Sequence, residues 1–102
     1  MAQFDIHRNR AGTYPQYLMV LSHEIVETLP TVVVAPLVPL GELGNRPMSR
    51  LLPAFEIDGV QHALLSIELA GVSRTVLGDP VMSAADRRYD ILGALDFLFT
   101  GI

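Results

Sequence analysis

Several short stretches of this 102-residue chain carry residue types that do chemistry. "HEIVE" (residues 23–27) begins like the zinc-protease signature, two His one helical turn apart with Glu as general base. Position 27 is Glu, so the second imidazole is missing and the metal lacks its ligands. Ser22, His23 and Glu24 are adjacent in the chain. Neighbours in an extended segment point to opposite faces, so they cannot pass a proton from donor to acceptor as a triad does. His7, His23 and His62 are scattered without ligand spacing. Glu56 and Asp58 sit two apart and can share a strand face, where paired carboxylates serve acid–base work. The same pattern describes a solvated polar edge. "GELGN" (41–45) has no following Lys and reads as a turn, not a phosphate cradle.

Whole residue classes are also absent. The chain has no Cys, which excludes disulfides, thiol catalysis and Cys-ligated zinc and fits a reducing cytosol. All seven basic residues are Arg, so Schiff-base lysines are excluded. The net charge of -4 is unlike the basic stripe of a duplex-binding protein. No apolar run reaches the roughly 18 residues of a membrane span. The first ten residues lack the basic-then-apolar order of a signal peptide. These readings point to a cytoplasmic binding protein, not an enzyme, with no cofactor and no membrane partner.

The closing stretch "LDFLFTGI" (95–102) is the one unusual feature. At 100° per residue, Leu92, Leu95 and Phe99 fall in one arc, widened by Ile91 and Leu98, which predicts the core face. Phe97 points nearly opposite, on the side of Asp86 and Asp90. One core cannot cover both faces of a terminal helix. Either another part of the fold wraps Phe97, or a second molecule does.

The elements that must position these residues follow from periodicity and punctuation. "QFDIHR" alternates as a strand, with Phe4 and Ile6 on one face and Asp5 and His7 on the other. "NRAGTYP" is a loop. "QYLMVL" is a strand that is apolar on both faces. "SHEIVETLP" is read as a short turn or one helical turn, stopped by Pro30. "TVVVAPL" is the clearest strand, with Pro36 predicted to end it or place it on an edge. Pro36 to Pro53 reads as a long loop. "AFEIDGVQHALLS" predicts a hairpin with Asp58-Gly59 at a type I′ turn. "SRTVLG" is a further short strand. Ser83 and Asp86 resemble a capping box for the only long helix, predicted to run from Ser83 to about Leu98. A half-hydrophobic chain of this length buries roughly two thirds of its unfolded surface, enough for one core. The expected class is mainly β, a small antiparallel barrel with a C-terminal helix, in one domain over residues 1–102.

The order and spacing of "QF", "VVVAPL", "LLPAFEIDG", "VLGDPV" and a closing helix with "GI" as its last letters resemble the CcdB toxin family of bacterial toxin–antitoxin pairs. The resemblance covers almost the whole chain. It implies an SH3-like barrel with a C-terminal helix, assembled as a two-fold homodimer. It implies a toxin that binds the A subunit of DNA gyrase and traps the cleaved gyrase–DNA complex. It also implies a CcdA-like antitoxin that neutralises the toxin and represses the shared operon with it, DNA being reached only through the antitoxin. The family tail that contacts gyrase is Trp-Gly-Ile. Here the tail is Thr100, Gly101 and Ile102, with Thr100 where the family has Trp. Phe97, Leu98 and Phe99 are the residues expected to seal the dimer. The loops carrying Arg8, Asn9 and Arg10, and Arg46 and Arg50, are expected to meet an acidic, disordered antitoxin segment. A non-poisoning homologue that binds antitoxin is the alternative; an enzyme is the least supported reading.

Overall fold

A computed structural model describes residues 1–24, 28–44 and 51–101. Seven antiparallel strands form one curled sheet: β1 (Asp5–Asn9), β2 (Tyr17–Val20), β3 (Thr31–Pro39), β4 (Ala54–Ile57), β5 (Val60–Leu64), β6 (Ala70–Ser73) and β7 (Leu77–Ser83). The hydrogen-bonded order is β4-β5-β3-β2-β1-β7, with β6 added on β3. Helix α1 (Arg88–Thr100) closes the chain. This is the expected class, a curled antiparallel half-barrel with a C-terminal helix.

The sheet is apolar on both faces because it serves two cores. Tyr17 and Met19 of β2, with Ala35 and Leu37 of β3, join Phe4, Ile6, Phe55, Ile57, Leu64 and Ile91 under the helix. Leu18 and Val20, with Val32, Val34 and Leu77, form a second cluster on the opposite side. Alternation along β2 and β3 therefore sends every second residue to a different core, which explains why "QYLMVL" is apolar throughout. His7 belongs to this second side and is buried, although alternation grouped it with Asp5 as a polar face. It stands opposite Leu18 in the β1–β2 register. Its Nδ1 lies 2.9 Å from the Gly78 carbonyl, which fixes the Nδ1–H tautomer, while Nε2 is buried without a hydrogen-bond partner.

Four sequence expectations need correction. Pro36 neither ends β3 nor marks an edge; it pairs with Leu18 deep in the sheet. The strand's other side pairs with β6 at residues 31–34 and with β5 at residues 37–39. Pro36 sits between the two partners. Its carbonyl accepts from the Leu65 N–H at 2.9 Å, and its missing N–H falls where neither ladder needs a donor. The loop after β3 accordingly begins at Leu40, with a 3-10 turn at Leu40–Leu43. "SRTVLG" is not one strand: a 3-10 turn at Arg74–Val76 separates β6 from β7, with Ser73 Oγ accepting from the Thr75 N–H at 3.3 Å.

The helix also starts later than Ser83. Ser83 ends β7, where its backbone pairs with Asp5, and its hydroxyl accepts from the Ala85 N–H at 3.2 Å. That bond closes a short side-chain turn before the 3-10 turn Ala85–Arg87. Strand pairing holds Ser83 extended, so the capping-box geometry does not form. The hairpin is as expected. Ile57 pairs with Val60, and Asp58 and Gly59 have φ of +51° and +77°, the positive values a type I′ turn demands at both central positions.

Two arginines seat α1 on the sheet. The Arg87 guanidinium lies 4.3 Å from the centre of the Phe55 ring, donates to the Ala54 carbonyl and pairs with Asp90 at 3.0 Å. Arg88 lies 5.7 Å from the Phe4 ring and reaches the Gln3 side chain at 3.4 Å. A planar guanidinium can stack and donate at once, which an ammonium cannot. Phe4 is itself held at φ +70°: its N–H donates to Val20 at 2.7 Å and its carbonyl accepts from Ala84 at 2.9 Å.

Two predictions follow from these anchors. Arg87→Ala removes the ring stack and the bond to β4, costing about 1–2 kcal/mol and lowering the melting temperature by several degrees. Arg87→Lys restores less than half of the loss in the same thermal scan. Separately, the Glu24 carboxylate accepts the Gln3 N–H at 2.8 Å, and this bond holds its pKa below the usual value. Its own amide, His23 and the N-terminus add to the effect, against a smaller opposing desolvation. A depressed carboxylate contributes above its unfolded pKa, and the contribution disappears as pH falls through the lower folded value. The Gln3 amide resonance is expected to titrate with the Glu24 midpoint, below that of ordinary glutamates, and to lose this transition in Glu24→Gln.

Candidate functional site

The buried stripe of α1 is Ile91 and Ala94, both 0 % exposed, flanked by the half-buried Leu95 and Leu98. Their spacing is i, i+3, i+4, i+7. The large-residue arc drawn through Leu92, Leu95 and Phe99 is right for the first two, which pack at the rim of the main core. It fails for Phe99, which is 71 % exposed. The stripe is rotated toward Ala94, which is fully buried. Phe99 is left on the flank.

Beneath Phe99 lies an apolar groove of about 250 Å³, lined by Leu21, Ser22, Val33, Leu69 and Leu95 together with Phe99 itself. Val33 reaches it from β3 on the same face as Ala35 and Leu37. Leu21 and Ser22 follow β2 and are tied to β3: the Leu21 N–H donates to the Val33 carbonyl at 2.8 Å, and Ser22 Oγ accepts the Val33 N–H at 3.2 Å. Nothing in the sequence singled out Leu21, Val33 or Leu69. They come from three separate segments, and only the register of β2, β3 and β6 brings them to one place.

The tail is a finished helix end. Thr100 Oγ1 donates back to the Asp96 carbonyl at 2.6 Å. Gly101 adopts φ +74° and its N–H donates to the Phe97 carbonyl at 2.9 Å. This left-handed C-cap is strained for any residue with a Cβ, so Gly101 is set by its own backbone. The Thr100 hydroxyl uses its one donor within the helix, leaving its acceptor lone pairs and its methyl. Phe97, 36 % exposed, and Phe99 stand on different flanks of the last turn, with Leu98 half-buried between them. Ile102 lies outside the described residues.

The predicted basic loop is at the other end of β1. Arg8 and Arg10 are exposed and line a polar cleft of about 280 Å³ with Asn9, Gly78 and Asp79. Asn9 is occupied within the loop. Its amide donates to the Pro15 carbonyl at 3.0 Å and its side-chain oxygen accepts the Ala11 N–H at 3.1 Å. Arg10 Nε donates to the Leu77 carbonyl at 3.2 Å, which pins it to the start of β7. Partial desolvation, then the charge and hydrogen bond of Glu42, raise the Tyr14 pKa. Arg46 and Arg50, expected from the sequence in the "GNRPMSR" loop, lie outside the described residues.

A family model described as CcdB protein matches residues 3–101. The chain belongs to the CcdB family. It is therefore a protein of toxin–antitoxin systems and not a conventional enzyme. Such a protein acts through surfaces, and the helix end with its groove and the Arg8–Arg10 cleft are the candidate surfaces of this CcdB-family chain. Among the described residues, no three His, Asp or Glu side chains converge as a metal site requires. None of their helices is long and apolar enough to cross a membrane.

The different burial of the helix residues gives a direct test. Phe99→Asp is expected to leave the fold intact, with a fall in monomer melting temperature of no more than a few degrees, because the ring is mostly in solvent. Ile91→Asp places an unpaired charge in the core and is expected to prevent folding, read by circular dichroism.

Proposed function

We propose that this CcdB-family chain is a gyrase-directed toxin that acts as a homodimer through the end of α1. The family match over residues 3–101 carries the reading. The exposed Phe99 over an apolar groove supports it, since a mostly exposed aromatic beside unfilled apolar surface marks a contact with another molecule. In this reading, the groove and the Phe97–Leu98–Phe99 turn meet the same surface of a second copy across a two-fold axis. The paired tails, Thr100, Gly101 and Ile102, then form one hook for the A subunit of gyrase, a symmetric target. The bound complex holds the cleaved DNA open and stops growth in the cytoplasm. Each fully buried apolar side chain in the dimer seam adds about 1.5–3 kcal/mol.

The Arg8, Asn9 and Arg10 cleft, and with it Arg46 and Arg50, is assigned to a CcdA-like antitoxin. An acidic disordered segment gains on-rate from the exposed guanidinium groups and folds as it binds. Neutralisation and co-repression of the operon follow from that complex, and DNA is contacted through the antitoxin. One observation favours a second reading, a family homologue that binds antitoxin without poisoning gyrase. Thr100 turns its hydroxyl back into the helix and so presents far less contact surface than the family's indole.

Deleting residues 100–102 separates these readings. The truncated protein is expected to melt within a few degrees of the full chain, because the removed bonds are at a helix terminus. It should lose inhibition of supercoiling and accumulation of cleaved DNA with purified gyrase from the same host. Full-length protein that leaves gyrase untouched while still binding its antitoxin establishes the non-poisoning homologue. A monomer in sedimentation at micromolar concentration overturns the dimer.

A further inference from the structure

We propose that Tyr17 is a positioning residue for Arg8, and that it presents this guanidinium to an acidic peptide partner at the β1 end of the molecule; the partner half of the proposal rests on the antitoxin assignment above. Arg8 and Tyr17 are opposed in the β1–β2 register, so they share a face of the sheet. The Arg8 guanidinium lies 5.7 Å from the centre of the Tyr17 ring, within the range where a ring face attracts a cation. Arg8 itself is exposed, and a free arginine there would sample many rotamers.

The ring beneath it cannot move in the same way. Tyr17 is only 4 % exposed and belongs to the main core. His62 abuts it edge-on, with ring centres 5.3 Å apart and planes at 89°. His62 is buried and fixed by its Nδ1, 2.8 Å from the Val60 carbonyl. The Tyr17 hydroxyl points to the Asp58 carboxylate at 3.4 Å, in the β4–β5 turn. A rigid aromatic platform thus spans β1, β2 and the β4–β5 hairpin, and its outer surface carries a cation. Arg10, two residues on, is held differently, by its bond to the Leu77 carbonyl. Both guanidinium groups of the loop are pre-oriented, each by a separate contact. Pre-orientation lowers the ordering cost when an extended carboxylate-bearing chain docks, and Arg favours a planar fit to carboxylates.

The test reads Arg8 directly and then reads binding. The {1H}-15N NOE of the Arg8 Nε–H is expected to show a restrained side chain in the native protein and in Tyr17→Phe, which keeps the ring face. It should show a mobile one in Tyr17→Leu, with Tyr17→Met as the replacement if Leu does not fold. Association with a synthetic peptide of alternating Glu and Ser, followed at low salt, should slow about twofold to threefold in Tyr17→Leu and recover in Tyr17→Phe. In an Arg8→Gln background, Tyr17→Leu should change the rate no further. Equal Arg8 mobility in all variants, or an undiminished Tyr17→Leu effect in the Arg8→Gln background, overturns the positioning role. A restrained Arg8 whose replacement by Gln leaves peptide association unchanged overturns the partner assignment and leaves the positioning role standing.

Discussion

Strand β3 is hydrogen-bonded along both edges, and the rest of the molecule is arranged around that fact. One edge carries β2 through residues 34–37, and the other carries β6 and then β5. The change of partner along one edge splits the sheet into two curled parts with a core on each side. A proline at the changeover removes a donor that would otherwise be left unpaired. Moving the register by one residue would exchange Val32 and Val34 with Val33 and Ala35 between faces, emptying one core and crowding the other. Strong register here fixes Val33 at the helix-end groove and, through β2, fixes Tyr17 opposite Arg8.

The helix illustrates how a surface forms from ordinary packing. Arginines at its first turn clamp it onto Phe4 and Phe55, and its Ile91 and Ala94 are fully buried. With the first turns fixed, the last turn carries Phe99 to the flank of the fold, over the groove lined by Leu21, Val33 and Leu69. Phe99 is exposed for that geometric reason. Of the residues around it, Leu21, Leu69 and Leu95 also pack with the main core, so that part of the groove is backed by the core.

Local signals were legible in the sequence where one segment decides its own conformation. Asp58-Gly59 specified its turn, alternation specified the strands, and the two-sided apolarity of "QYLMVL" foretold burial on both faces. Reading failed where a distant partner decides. Ser83 has a helix-capping side chain, yet pairing with Asp5 keeps it in a strand. Pro36 breaks isolated strands, yet a change of neighbour accommodates it. His7 looked like part of a polar face because nothing local announces a second core. At the candidate surfaces, Arg8 and Arg10 stand exposed, while the helix arc misplaced Phe99 on the core face. The groove residues could not be found from residue types, because Leu21, Val33 and Leu69 acquire meaning only from register. The tail's family likeness named the position of Thr100, while its inward-turned hydroxyl belongs to the geometry.

The pairing of β1 with β7, and of Phe4 with Ala84, joins the two ends of the chain. Loops that long are costly to close before any contact rewards them, so folding of this topology is governed by late, non-local pairing. During synthesis, β1 must wait with an unpaired edge until β7 has left the ribosome, and the helix cannot be clamped until Arg87 and Arg88 follow. The helix end is supported only after these elements have paired. A nascent chain therefore has no supported helix end until β7 and the two clamping arginines have been made and paired.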